Sequence, residues 1–175
     1  MSASKGASGN RPLLVTAELP PAILAWADGL RRAHYPPEKN RLRAHVTLFH
    51  ALPPSAEAEV RRLLAELAKA APPPARVSGV WDMGTGTAFD LASPAMAAVH
   101  ERIGERLHGV LTRQDDRRLR LHITVQNKVS RQAARALQAA LRAAFEPREF
   151  AFRGLGLYAW DEGLWQEIGD YPFRG

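Results

Sequence analysis

Arg41-Leu42-Arg43-Ala44-His45-Val46-Thr47-Leu48 returns 77 residues later as Arg118-Leu119-Arg120-Leu121-His122-Ile123-Thr124-Val125. Five of the eight positions are identical, and two more exchange one aliphatic residue for another. In a β-strand successive side chains point to opposite faces. His45 and Thr47 therefore share one face while Val46 and Leu48 share the other, and His122 and Thr124 oppose Ile123 and Val125. The aliphatic faces belong in a core and the His/Thr faces on a cleft. A string repeated in this way predicts a duplicated unit, with two small sheets related by a pseudo-two-fold axis; a period this long, occurring twice, is no solenoid.

The flanks agree. Pro12 to Glu18 reads as a strand, and Pro20-Pro21 opens a helix from about Ala22 to His34, ended by Tyr35-Pro36-Pro37. The first motif strand covers Arg43 to His50. Pro53-Pro54-Ser55 follows as a stop, a turn and an N-cap for an amphipathic helix over Ala56 to Ala70, with Val60, Leu63, Leu64 and Leu67 at helical spacing. Strands at Arg76 to Asp82 and Thr87 to Leu91 flank Gly84-Thr85-Gly86, which has the chemistry of a hairpin turn. Ser93-Pro94 caps a helix reaching about Leu111. The second motif strand spans Arg120 to Asn127, and Ser130 caps a helix over Arg131 to Phe145. Glu149 to Trp160 and Leu164 to Gly169 form a last hairpin around Asp161-Glu162-Gly163. The expected architecture is α+β and bilobal: two antiparallel sheets with helices on their outer faces, a central cleft, and sequence halves of roughly 11–92 and 93–175 behind a polar tail, 1–10.

Two imidazoles and two hydroxyls converging on a cleft suit a small anion such as a phosphodiester. Histidine titrates near neutral pH and can serve as proton donor or acceptor, while threonine hydroxyls donate to non-bridging oxygens. Extending the same strand face adds Arg43 and Arg120 before the histidines, and Phe49, Gln126 and Lys128 after them. Phe49 either stacks on a base or packs ordinarily; the three cations either contact phosphate or are solvated surface charge. His34, His50, His100 and His108 read as structural or surface, with His50 on the wrong face of its strand. Asp82, Asp90, Asp115 and Asp116 show no ligand spacing with the histidines, so neither a metal nor another cofactor is expected.

Composition bounds the rest. A net charge of +6, carried by 24 basic residues of which only four are Lys, favours phosphate-bearing partners, although coding bias also produces Arg-rich chains. No run approaches the roughly 20 apolar residues of a spanning helix, and Met1 to Asn10 has no apolar stretch. Cysteine is absent, which excludes disulfides and a thiolate nucleophile. A soluble, cytoplasmic monomer is expected.

At His45-Val46-Thr47-Leu48 and His122-Ile123-Thr124-Val125 the chain resembles the two-histidine (2H) phosphoesterase superfamily, and within it the 2'-5' RNA ligase-like proteins. The resemblance spans about residues 11 to 173. It implies metal-independent hydrolysis of 2',3'-cyclic phosphate ends of RNA or nucleotides, with reversible 2'-5' ligation or action on cyclic phosphates of ADP-ribose in some members. By analogy His122 is the base that activates water and His45 the acid that protonates the departing ribose oxygen, with Thr47 and Thr124 holding the phosphoryl oxygens. Gln126-Asn127-Lys128 departs from the Arg often found near there in the ligase-like branch. A non-catalytic RNA-binding module is the rival reading: Arg153-Gly154-Leu155-Gly156-Leu157-Tyr158 loosely echoes an RNA-recognition signature, with leucines in place of stacking aromatics. A metal-dependent phosphodiesterase is a third.

Overall fold

A computed structural model of the chain describes residues 11–175; the expected tail, 1–10, lies outside the described residues. The strands are β1 (Leu13–Glu18), β2 (Val46–Leu52), β3 (Pro74–Asp82), β4 (Thr87–Ala92), β5 (His122–Gln126), β6 (Arg148–Ala151), β7 (Gly154–Asp161) and β8 (Leu164–Pro172). The helices are α1 (Pro21–His34), α2 (Glu57–Leu67), α3 (Pro94–Arg106) and α4 (Arg131–Ala143).

Local chemistry sets most boundaries. Ser93 Oγ accepts from the Met96 amide at 3.1 Å and donates to the Pro74 carbonyl at 2.7 Å, tying the start of α3 to β3. Ser130 Oγ accepts from the Ala133 amide at 3.1 Å, a cap worth about 1 kcal/mol. Ser55 does not cap: a short 3-10 turn over Pro54–Ala56 intervenes, and α2 starts from Ala56 without a side-chain cap. α3 ends at Arg106, short of Leu111, because Leu107–Leu111 turns away through His108–Val110. The β7–β8 hairpin closes on Glu162 (φ +48°) and Gly163 (φ +87°), the positive-φ pair that a tight twisted hairpin needs.

The strands form two antiparallel four-stranded sheets, ordered β2-β1-β7-β8 and β5-β4-β3-β6. This is the expected α+β, two-sheet architecture, but the sequence halves do not fold as separate lobes. Each sheet takes two strands from either half. The units β1-α1-β2 and β4-α3-β5 correspond: each is a strand, a Pro-opened helix and a motif strand antiparallel to the first. The stretch expected as one long strand, Glu149 to Trp160, is two. β6 pairs with β3 in the second sheet and β7 with β1 in the first, and the chain changes sheets at Phe152-Arg153. There the Phe152 amide donates to the Pro73 carbonyl and the Arg153 amide to the Glu18 carbonyl. Phe152 is wholly buried at this crossing, an anchor worth about 1.5–3 kcal/mol.

Helices bridge the sheets. α1 grows out of β1 yet packs on β5, with Trp26 against Phe89 at 4.7 Å between ring centroids. α3 grows out of β4 and lays His100 flat on Phe49 of β2, at 4.6 Å and 9°. One connected core therefore runs through both sheets, and β2 and β5 lie against each other at their junction.

Candidate active site

The motif strands meet the cleft through a shared irregularity. In β2, Val15 faces Phe49 but Thr16 faces Thr47, so Leu48 is an extra residue. In β5, Thr87 faces Gln126 but Ala88 faces Thr124, which makes Val125 the extra residue. Each strand bulges at the same motif position, and a bulge reverses the side-chain alternation beyond it. Leu48 and Phe49 both turn inward, as do Val125 and Gln126. The next residues, His50 and Asn127, turn back to the cleft.

This reversal corrects three expectations. Phe49 is wholly buried under His100 and reaches no ligand. Gln126 is buried too, accepting from the Thr87 hydroxyl at 2.9 Å. His50, expected on the wrong face, lines the cleft; its amide and that of Ala51 donate to the buried Asp115 carboxylate at 2.7 and 3.0 Å.

Ahead of the bulges the alternation holds. His45, Thr47, His122 and Thr124 all line one cleft of about 640 Å³, with Lys128 at its edge in left-handed backbone (φ +58°). Each histidine Nδ1 lies against the carbonyl oxygen two residues earlier: His45 to Arg43 at 2.8 Å and His122 to Arg120 at 2.7 Å. A carbonyl only accepts, so Nδ1 carries the proton and Nε2 is left for the cleft. Burial lowers the pKa of His45, Arg31 lowers it further, and the Arg43 carbonyl pulls the other way. Burial also lowers that of His122, with His50 adding to the effect against the Arg120 carbonyl. At both, burial favours the neutral imidazole. The Thr124 hydroxyl has only a weak contact at 3.9 Å, to the Met83 sulfur.

Arg43 and Arg120 do not line the cleft, because the strands start after them and their side chains turn back onto carboxylates. Arg43 Nη2 is 3.2 Å from Glu18 Oε1 and 3.5 Å from Glu167 Oε1, and it donates to the Tyr158 hydroxyl at 3.2 Å. That hydroxyl donates to Glu18 at 2.8 Å, and burial followed by Glu18 pushes its pKa up. A Cβ added at Gly156 would stand 2.5 Å from Glu18 Oε1, so this cluster requires the bare backbone there. Arg120 grips Asp90 with two bonds, 2.8 and 3.0 Å, and lies 4.0 Å over the Trp81 ring. The edge-to-face partner of Trp81 is His122, at 4.9 Å. Counted from the facing pairs Thr16–Thr47 and Ala88–Thr124, Glu18 and Asp90 occupy equivalent places.

The walls hold residues that the motif did not announce. Trp81, from the end of β3, and the cross-strand pair Trp160–Trp165 at the tip of β7–β8 line the cleft, the latter two at 5.1 Å between centroids. Tyr35, Lys39 and Arg41 come from the segment after α1, and Arg31 from α1 itself. Four cationic side chains, Arg31, Lys39, Arg41 and Lys128, face one carboxylate, Glu38, which makes the cleft electropositive. The two leucines of the loose RNA-recognition echo, Leu155 and Leu157, sit in the core. Among the described residues no three His, Cys, Asp or Glu side chains gather where they could hold a metal, and no helix is long and apolar enough to cross a membrane.

The fold recurs in solved structures at low identity. TT0787 of Thermus thermophilus matches with a TM-score of 0.59 at 17% identity, over 95% of this chain and 99% of that one. Escherichia coli LigT complexed with NADP+ matches at 0.56 and 20%, over 94% and 99%, and LigT complexed with 3'-AMP at 0.50 and 19% over the same shares. No curated protein matches the chain. A model of the 2'-5' RNA ligase superfamily matches residues 19–164, a span holding both motif strands and all four helices, and the chain belongs to that superfamily.

Proposed function

We propose that this protein is a metal-independent phosphoesterase that opens 2',3'-cyclic phosphate ends of RNA or nucleotides, with 2'-5' ligation as the same ring opening when a 5'-hydroxyl attacks phosphorus in place of water. The observation that carries the reading is the matched presentation of two histidines. Each has Nδ1 held by a backbone carbonyl and Nε2 left for one electropositive cleft, and each has a threonine beside it. His122 Nε2 takes a proton from water as the water oxygen bonds to phosphorus. The bond from phosphorus to one ribose oxygen breaks, and His45 gives that oxygen a proton. Thr47 and Thr124 donate to the non-bridging oxygens as charge builds on them. A bound phosphate anion favours the imidazolium that the acid needs, offsetting the burial that depresses both histidines in the free protein. LigT, which shares the fold, is seen with 3'-AMP, ATP and NADP+, which supports a nucleotide phosphate as ligand here.

Turnover of a 2',3'-cyclic nucleotide in EDTA by wild type, His45→Ala and His122→Ala tests the reading. Each substitution is expected to slow turnover by about 10²- to 10⁴-fold. Unchanged rates in both variants overturn the catalytic assignment in favour of a binding module, and activity abolished by EDTA overturns metal independence.

A further inference from the structure

α1 presents a buried stripe of Ile23, Ala27 and Arg31, and its last member is the one buried basic residue among the described residues, at 5% exposure. The guanidinium crosses from α1 to the second sheet, where Nη1 donates to the Thr124 carbonyl at 2.8 Å. Nε donates to Asn40 Oδ1 at 3.0 Å, and the group lies 4.4 Å over the Tyr35 ring. All three partners are neutral. Among the described residues no carboxylate stands within ion-pair distance of it, whereas Arg11, Arg43, Arg61, Arg120 and Arg153 all have one. Asp28, on the same helix, is engaged with the Ala44 amide. Burial pulls the pKa of Arg31 below the usual arginine range.

A desolvated cation that Asp28 compensates only through space, outside ion-pair contact, is unfavourable, and packing alone would put an apolar residue at the end of this stripe. The corresponding helix does put a small one there: counted from the first-turn prolines Pro21 and Pro94, the α3 residue matching Arg31 is Gly104, packed against Phe49. Arg31 also lines the cleft beside His45 and Thr124, and two of its five N–H donors account for the bonds above.

We propose that Arg31 is the anion-binding residue of this cleft: its counter-ion is the phosphoryl group of the ligand, held on the Thr124 side by the guanidinium that α1 delivers. The inference rests on the phosphoesterase reading for the identity of the ligand. The charge sits on one half only, so the phosphate oxygens are bound unequally by two otherwise matched strands. A guanidinium fixed by the Thr124 carbonyl and Asn40 is already oriented when the ligand arrives, so little side-chain freedom is lost on binding.

Binding of inorganic phosphate and of 3'-AMP is read from the rise in melting temperature at constant ionic strength, chloride replacing the ligand in controls. Wild type is expected to be stabilised by both, and Arg31→Gln to bind each roughly ten- to a hundredfold more weakly, as loss of a charged hydrogen bond implies. An Arg31→Gln protein that folds and binds both ligands within twofold of wild type overturns the proposal, as does a wild type that responds to neither. If Arg31→Gln does not fold, Arg31→Lys decides, because it keeps the charge and loses the fork: binding weakened fivefold or more supports the proposal, and binding within twofold overturns it. Cyclic-nucleotide turnover is measured on the same samples. Arg31-dependent phosphate binding without turnover leaves the anion site standing and removes the reading on which its ligand's identity rests.

Discussion

Behind His45, the motif arginine is tied to a carboxylate that water barely reaches: Glu18 is 2% exposed and shares its oxygen between Arg43 and the Tyr158 hydroxyl. Behind His122, the equivalent arginine grips Asp90 at the surface and lies on Trp81. Both arrangements fix the same thing, the carbonyl that receives Nδ1 of the following histidine. The backbone device is duplicated, from carboxylate clamp to histidine tautomer to bulge. What packs behind it has diverged: Phe49 against Gln126, His50 against Asn127, Gly104 against Arg31. The duplicated features are those that two-histidine chemistry needs in duplicate, and the diverged ones determine what sits in the cleft and how firmly each strand is held.

The largest effects come from removing one histidine at a time. His122→Ala should remove the acidic limb of the kcat/KM profile, where the base loses activity by becoming protonated, and His45→Ala the alkaline limb, where the acid loses its proton. Each variant should fall by about 10²- to 10⁴-fold. Burial lowers both pKa values, so the wild-type kcat/KM optimum should lie on the acid side of the ordinary histidine range, with the kcat optimum at higher pH because bound phosphate favours imidazolium. A profile in which both variants lose the same limb would sink the division of roles.

The residues after the bulges differ in kind, and their stabilities should show it. Phe49→Ala empties a wholly buried site and should cost about 3–5 kcal/mol in denaturant unfolding. Gln126→Ala breaks a buried hydrogen bond to Thr87 and should cost about 1–3 kcal/mol. Equal losses would mean that the two bulges are not packed as described.

These two residues also mark where reading the chain by alternation stops working. The faces up to Thr47 and Thr124 were legible because they depend only on the pleat, and the Ser93 and Ser130 caps and the Glu162-Gly163 turn because they depend on local backbone chemistry. A bulge is a property of pairing, set by how β2 meets β1 and β5 meets β4, so nothing in Leu48-Phe49-His50 or Val125-Gln126-Asn127 announces it. Arg31 was illegible for a related reason: its helix packs on a sheet other than the one it grows from. Trp81, Trp160 and Trp165 come from opposite halves of the sequence and meet only because β3 and β7 lie in different sheets that face one cleft.

The clamps should separate by stability before they separate by rate. Glu18→Gln removes the charge from a buried oxygen that two groups share, leaving Glu167 as the one carboxylate paired with Arg43, and should cost about 1–3 kcal/mol. Asp90→Asn alters an exposed pair and should stay within about 1 kcal/mol. In either variant the freed arginine loosens one histidine's carbonyl partner, so imidazole nitrogen shifts should report tautomer mixing at His45 for Glu18→Gln and at His122 for Asp90→Asn. Mixing at both histidines in either variant would mean that the clamps act through the whole fold and not on their own strands.

The smallest effect should come from making the post-bulge positions alike with His50→Asn. Burial lowers the pKa of His50, and its positive charge would in turn lower those of both His45 and His122. The groups facing it include Asp115, which pulls it the other way, and the two motif histidines. With asparagine there, both motif histidines should hold their protons to a higher pH, and the kcat/KM optimum should move up while its height stays within about threefold. Stability follows the same sign. A histidine whose pKa is depressed by folding is protonated first in the unfolded chain, so stability is lost as pH falls through the ordinary histidine range toward the folded value. Removing one such group should make that loss shallower in His50→Asn than in wild type. An optimum that stays in place would show that His50 places no charge on the motif pair, and a steeper acid loss that it is held charged in the cleft and belongs with the anion-binding groups.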